Sequence, residues 1–257
     1  MTTGVPSGSI DKALTVLEAL AEHSRLTDIA TASGLPKSTV HRILQSLIGW
    51  GFALVDGNGG YLPGPRILTL AGRVMSRFDP AQHARAALRD LRDRTGMTVH
   101  FAIRGGDEIV YVDKIEGRRP YQMKSRVGMA VPLHTTAIGK AVLAHLDDAE
   151  IAAIVERTGL SAVTPRSIAD PAVLREQLAA ALTAGYAVDD GENDVEIRCI
   201  GAAVFDHTGN VLGGVSISAL SFELDLTSAA LIAEVTGAAH AVSLALGAPP
   251  ARLSDVG

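Results

Sequence analysis

The chain has 257 residues, of which 47% are hydrophobic and 20% charged, which is typical of a globular protein with one large domain or two modest ones. No apolar run reaches the ~18 residues of a membrane span, and the first residues lack a signal-peptide pattern, so we expect no membrane partner. The single cysteine excludes an internal disulfide and a zinc cluster built from cysteines, and it suits the reducing cytoplasm.

Charge is distributed unevenly along the chain. The formal net charge is −5, which by itself argues against a nucleic-acid-binding protein. Residues 1–78, however, contain seven Lys or Arg and five Asp or Glu, a net charge of +2, which leaves −7 for the rest. The sign of this asymmetry fits a DNA-facing N-terminal part on an acidic body.

The N-terminal part reads as three short helices followed by a hairpin. Apolar residues at helical spacing follow Ser9, a second helix runs from about Thr27 to Ser33, and a third begins near Ser38. The glycine-rich turn Asp56–Gly60 separates two short apolar strands, which is typical of a β-hairpin. This order predicts a winged helix-turn-helix domain over residues 1–64.

The third helix is the predicted recognition helix, because its first turn carries small polar and basic side chains that suit base edges and phosphates. A second-helix hydroxyl and the wing tip complete the candidate set. The predicted DNA-contact residues are Thr27, Lys37, Ser38, Thr39, His41, Arg42 and Asn58. The alternative is a small helical bundle that contacts another protein.

Beyond Pro65 the pattern predicts a linker helix over 65–78, a second domain over 79–248 and a flexible tail over 249–257. Asp79-Pro80 marks a helix start. Strands are predicted at Val99–Arg104, Ile109–Ile115, Tyr121–Val127, Ile197–Phe205 and Val211–Ala219, and helices near Ala137–His145, from Asp147, from Asp170 to Gly185 and over Leu226–Leu246. The fold class is therefore α+β, with a mostly antiparallel sheet flanked by helices.

A small-molecule pocket is predicted in the second domain. Ile197 and Cys199 share one strand face, and Ser216 and Ser218 share one face of the neighbouring strand. The helix that starts at Ala137 offers free backbone N–H groups, so hydroxyls and amides together suit a small carboxylate. The alternative is structural: the cysteine is a small buried hydrophobe, the serines face solvent, and Gly139 allows close packing.

Enzyme motifs do not emerge from the sequence. The histidines lack metal-ligand spacing, Gly214-Val215-Ser216 lacks the second glycine of a nucleophile elbow, and Gly139-Lys140 lacks the rest of a phosphate loop. The acids Asp189, Asp190 and Glu192 receive no role. We therefore nominate no catalytic residue, no metal ligand and no cofactor, although a small-molecule enzyme with an accessory winged helix remains an alternative.

Two sets of motifs resemble the IclR family of bacterial transcriptional regulators. The first set is SIDKALTVLEAL, LTDIATASGLPKSTVHRILQSL, GFALVD and GGYLPGPRILTLA, and the second is VPLHTTAIGKAVLAHL and GYAVDDGENDVEIRCIGAAVFDHTGNVLGGVSIS. The resemblance covers nearly the whole chain.

The resemblance implies a GAF-like effector-binding domain, a homodimer or dimer of dimers on operator DNA, and a small-molecule effector. The matching pocket positions are Ala137 and Ile138 through their backbone, Ile197, Cys199, Ser216 and Ser218, and Gly139 completes the predicted effector-binding set. The bulk of Ile138 and the segment YQMKSRVG favour a sugar acid over glyoxylate or pyruvate. A small-molecule sensor whose N-terminal module binds protein is the other alternative.

Overall fold

The computed structural model describes residues 8–121 and 123–250, which divide into two units between Phe78 and Asp79. Of the predicted tail, residues 251–257 lie outside the described ranges. No helix within these ranges has the length and apolarity needed to cross a bilayer.

The first unit is a winged helix-turn-helix, as predicted. Its elements are α1 (Ser9–Glu22), α2 (Leu26–Ser33), α3 (Lys37–Gly49), β1 (Ala53–Val55), β2 (Tyr61–Pro63) and α4 (Pro65–Met75). Gly34 ends α2 with φ 65°, a left-handed conformation that glycine adopts without strain. The turn between β1 and β2 is closed by the Asp56 carboxylate, which accepts hydrogen bonds from the N–H groups of Asn58 and Gly60.

The core of this unit forms where the apolar stripes of its first three helices meet. Val16, Ile29, Val40 and Leu44 are fully buried there, and Tyr61 of β2 closes the cluster. By contrast, α4 buries none of its side chains. This helix falls within the range 65–78 that the sequence assigns to a linker, and the apolar core of its unit buries none of its side chains.

The second unit is built on a six-stranded antiparallel sheet. Its elements are α5 (Pro80–Thr95), β3 (Thr98–Gly105), β4 (Glu108–Ile115), β5 (Ala130–Pro132), α6 (Ala137–Leu143), α7 (Asp148–Thr158), α8 (Pro171–Ala184), β6 (Ala187–Asp190), β7 (Ile197–Phe205), β8 (Val211–Leu220) and α9 (Ala229–Ala245). The strand order is β5-β4-β3-β8-β7-β6. Helices and a mostly antiparallel sheet confirm the predicted α+β class.

Both faces of the sheet are covered. Helices α5 and α9 pack against each other and against the sheet, whereas α6 contacts β7 and β8 and is backed by α8. Along β7, Ala203 and Phe205 join the α6 cluster, while the alternate residues Ile200 and Val204 are buried on the opposite face. Gly201 and Gly214 allow α6 to approach, because a Cβ atom on either would lie 2.9 Å from α6 atoms.

One predicted strand is wrong. The described part of Tyr121–Val127, residue 121 and residues 123–127, is irregular, and the edge strand is β5 instead. The physical reason is that Lys114 Nζ donates to the carbonyl oxygens of Met123 and Ser125, so a side chain takes the place of strand pairing. The short strand β6, which ends in Asp189 and Asp190, was not predicted.

Candidate functional site

The start of α3 presents a polar face to solvent. Lys37, Ser38, His41 and Arg42 are exposed, and Thr39 is half-buried. On the other side of the helix, Val40 and Leu44 are fully buried against α1 and α2. Five of the seven predicted DNA-contact residues therefore lie together on the first turns of one helix.

The other two predicted residues lie elsewhere in the same unit. Thr27 is the second residue of α2, is exposed, and donates its hydroxyl hydrogen bond to the Asp28 carboxylate at 3.1 Å. Asn58 is exposed at the tip of the β1–β2 turn. A contact that the sequence did not reveal joins α3 to the wing, because His41 Nδ1 lies 3.1 Å from the Tyr61 hydroxyl.

A cavity of about 360 Å³ lies on the α6 side of the second unit. Six of the seven residues predicted for the pocket line it: Ala137, Ile138, Ile197, Cys199, Ser216 and Ser218. The sheet register explains the grouping, since Cys199 pairs with Ser218 and Gly201 pairs with Ser216. The Ser218 hydroxyl donates to Cys199 Sγ at 3.1 Å.

Gly139 does not line the cavity. A Cβ atom at this position would lie 2.2 Å from the carbonyl oxygen of Leu133, far inside van der Waals contact. The glycine therefore lets α6 pack directly on the chain that leads into it. This is the structural alternative that the sequence left open.

The start of α6 lies at the cavity and carries unpaired backbone donors. Thr136 caps the helix, and its hydroxyl oxygen accepts a hydrogen bond from the Gly139 N–H at 3.1 Å. Within the described ranges, the N–H groups of the lining residues Ala137 and Ile138 have no hydrogen-bond partner. Such donors suit the oxygen atoms of an anion or a hydroxyl group.

Asp189 lines the cavity although sequence reasoning gave it no role. It is 2% exposed and pairs across the sheet with Cys199, so both side chains lie on the same face. Its Oδ1 accepts a hydrogen bond from the Glu192 N–H at 2.7 Å. Burial raises the pKa of the Asp189 carboxyl to about 7, and the neighbouring Glu192 charge acts in the same direction.

His100 is another lining residue that the sequence analysis did not single out. Its Nε2 lies 2.8 Å from Ser125 Oγ, and its Nδ1 lies 3.4 Å from Ser218 Oγ. Burial and the nearby Lys114 charge lower the pKa of the imidazole to about 3. The ring is therefore neutral at physiological pH, with one donor and one acceptor nitrogen. The period-two alternation of β3, together with its pairing to β8, places His100 on the same sheet face as Ser216.

A buried ion pair supports the cavity from behind. Lys140 of α6 is 1% exposed, and its Nζ lies 2.5 Å from Glu192 Oε1 and 2.8 Å from Gln177 Oε1. The pair joins α6 to the loop that follows Asp189. Burial of the Glu192 carboxylate raises its pKa, and Lys140 opposes that effect.

The charges around the cavity are mostly acidic. Among the lining residues that the structure describes, Lys124 is the one Lys or Arg, and its side chain is exposed and 3.7 Å from Asp194. Asp189 is buried, and His100 is neutral. The lining offers a ligand hydroxyl groups, free amides and the carboxyl groups of Asp189 and Asp194, without a buried Lys or Arg among the described lining residues.

Comparisons with known proteins agree with this architecture. Residues 9–57 match the IclR helix-turn-helix domain, and residues 72–244 match the bacterial transcriptional regulator IclR C-terminal domain. The chain is 36% identical to the HTH-type transcriptional regulator XynR of Escherichia coli over 248 residues, which are 94% of this chain and 98% of XynR. It is 30% identical to the transcriptional repressor IclR of the same organism over 246 residues, 93% of this chain and 90% of that protein.

A solved structure shows the same similarity in three dimensions. The crystal structure of the Agobacterium tumefaciens repressor BlcR aligns with a TM-score of 0.74 and 27% identity, over 93% of this chain and 96% of that chain. These relatives are named as regulators or repressors. The two domain matches and the identities over almost the full length show that the chain belongs to the IclR family of bacterial transcriptional regulators, with an N-terminal DNA-binding domain and a C-terminal effector-binding domain.

Proposed function

We propose that this regulator senses a small hydroxylated carboxylate, of the sugar-acid class, in the cavity of its second unit. The observation that carries the proposal is the pairing of free N–H groups at Ala137 and Ile138 with the hydroxyls of Ser216 and Ser218 around one cavity. The amides suit a carboxylate, and the hydroxyls suit a ligand with several oxygen atoms of its own.

The cavity volume and the lining residue Asp189 favour a sugar acid over a smaller acid. About 360 Å³ falls within the range of about 300–1,000 Å³ that is usual for small-molecule sites. Asp189 accepts a hydrogen bond from a ligand hydroxyl in either protonation state, whereas its charged form repels a second carboxylate. A short keto acid offers fewer hydroxyl donors to Asp189.

We further propose that the exposed face of α3 binds the operator as part of a homodimer or a dimer of dimers. Two recognition helices would then occupy major grooves about one helical turn apart, ~34 Å. Effector binding changes the operator affinity only to the extent that the effector prefers one arrangement of the DNA-binding domains. On this proposal the protein acts in the cytoplasm, catalyses no reaction and needs no cofactor or metal.

A thermal-shift panel tests the effector class. Keto acids, sugar acids and aromatic acids are each added to the full-length protein, because a ligand at about 100 times its Kd adds about 2.7 kcal/mol to the free energy of unfolding. We expect the sugar acids to raise Tm and the other groups not to. A response to keto acids alone would overturn the proposed class.

Two variants show whether a hit occupies this cavity. Cys199→Trp fills the space beside Ser218, so we expect it to abolish the shift while operator binding persists. Cys199→Ser is the matched control, because it keeps a small polar side chain and should retain the response. An unchanged response in Cys199→Trp would place the ligand elsewhere.

A further inference from the structure

One side of the cavity is closed by a short irregular segment, residues 123–129, which we call the outer wall. Met123, Lys124, Ser125 and Met129 of this segment line the cavity. At one end the wall is fixed by backbone hydrogen bonds, in which the N–H of Gly128 and the carbonyl oxygen of Met129 bind Tyr111 of β4. The other end, residues 123–125, is held by side chains.

Lys114 of β4 provides the first attachment. Its ammonium group donates to the carbonyl oxygens of Met123 at 3.0 Å and Ser125 at 2.7 Å, and it pairs with Glu116 at 2.8 Å. An ammonium group has three N–H donors, so this side chain is fully used. The Lys114 side chain is only 10% exposed, which strengthens these charge-assisted bonds relative to bonds in water.

His100 of β3 provides the second attachment. It pairs across the sheet with Lys114, and its ring bridges Ser125 of the wall and Ser218 of the sheet. Ser218 in turn donates to Cys199. A continuous line of hydrogen bonds therefore runs from the wall to two residues that are proposed to contact the effector.

We propose that Lys114 and His100 are positioning residues, which hold residues 123–125 over Cys199 and Ser218, and that release of these bonds admits the ligand. The identity of the ligand rests on the proposed function above. The opening of the wall does not, because it is measurable with no ligand present.

Cys199 is the single cysteine of the chain, so its reaction with a thiol reagent such as DTNB reports access to the cavity. Lys114→Met keeps the length of the side chain and removes its three N–H donors. We expect the labelling rate of the native full-length protein to rise on the order of tenfold or more, the factor that loss of a charge-assisted hydrogen bond produces. Electrostatics alone predicts the opposite sign, because removal of a nearby cation disfavours the thiolate.

Three control variants show whether faster labelling results from loss of the Lys114 bonds. Glu116→Gln removes the ion pair but keeps both carbonyl bonds of Lys114, so its rate should stay within about threefold of wild type. Ile154→Val lowers the stability of the same unit by deleting a methyl group from its core, away from the cavity lining. Cys199→Ala provides the unlabelled baseline.

Labelling of Lys114→Met at the wild-type rate overturns the proposal, and so does an equal acceleration in Ile154→Val. If Lys114→Met does not fold, Ser125→Ala decides instead, since it deletes only the hydroxyl that binds His100. Acceleration by about threefold or more supports the proposal, and a wild-type rate refutes it. If labelling accelerates but no sugar acid raises Tm, the proposed role of Lys114 and His100 is supported and the proposed effector class is refuted.

Discussion

Replacement of Asp189 by Asn should stabilise the protein at alkaline pH. The carboxyl is 2% exposed, and its pKa is raised from 3.8 to about 7 chiefly by burial. Ionisation is therefore easier in the unfolded chain than in the folded protein, and the buried charge costs stability. The full cost corresponds to about 4 kcal/mol as an upper limit.

The sign of the effect follows from proton binding. Below pH 3.8 both states are protonated and the cost is absent, whereas between pH 3.8 and about 7 the folded state holds a proton that the unfolded chain has lost. Stability therefore falls as the pH rises through this range, and the loss is complete above it. The Asn side chain stays neutral and keeps an oxygen acceptor for the Glu192 N–H. We expect Asp189→Asn to be more stable than wild type by about 2–4 kcal/mol at pH 8 and by about 1 kcal/mol at pH 4.5.

Urea unfolding followed by circular dichroism at pH 4.5, 6 and 8 measures these differences. Asp225→Asn is the control of opposite sign, because hydrogen bonds from Thr227 lower the pKa of the exposed Asp225 carboxyl. Its removal should destabilise the protein at pH 8 and have no effect below the pKa. Equal differences at pH 4.5 and pH 8 for Asp189→Asn would show that the reasoning about the buried charge is wrong. Affinity for a carboxylate ligand should also decline above pH 7 in wild type but not in Asp189→Asn.

Three further predictions address other parts of the molecule. Arg42→Ala should weaken operator binding, measured by fluorescence anisotropy at several salt concentrations. If Arg42 contacts a phosphate, the slope of log affinity against log salt concentration should fall by about 1. Unchanged affinity and slope would exclude a DNA contact. Gly139→Ala should lower the free energy of unfolding by at least about 1–3 kcal/mol, because the new Cβ atom would meet the backbone of Leu133. Gly237→Ala is the control in an open part of α9 and should be neutral or stabilising by up to about 1 kcal/mol. Similar values for the two variants would contradict the packing argument. Lys140→Met should lower the free energy of unfolding by about 3–5 kcal/mol, because Glu192 would stay buried without its cation. Adding Glu192→Gln should restore part of that loss. If the double variant instead loses the sum of the two single losses, the two residues are not coupled.

Local signals were sufficient for most of the fold. The turn at Gly34, the hairpin at Asp56–Gly60 and the helix start at Asp79-Pro80 are each encoded in two to five neighbouring residues, and the structure has elements that begin or end there. Period-two alternation also placed Ser216 and Ser218 on one face of β8. These features need no knowledge of distant contacts.

Two errors of the sequence analysis depend on partners far along the chain. Asp189 gained its position only through pairing of β6 with β7, and a four-residue strand that ends in two acids has little strand signal of its own. Tyr121–Val127 has the composition of a strand, but Lys114 of another element binds the carbonyl groups of Met123 and Ser125. Partners distant in sequence, rather than local propensity, decide both cases.

The helix α4 has a consequence for how the chain moves. Because none of its side chains is buried, its helical conformation is not tied to the melting of the apolar core of its unit. An 11-residue helix of this kind is only marginally favoured over coil in water, so fraying or unwinding it costs little free energy. A change in the backbone path within α4, at the end of the first unit, therefore costs less than a comparable change within α3, which would break a packed core.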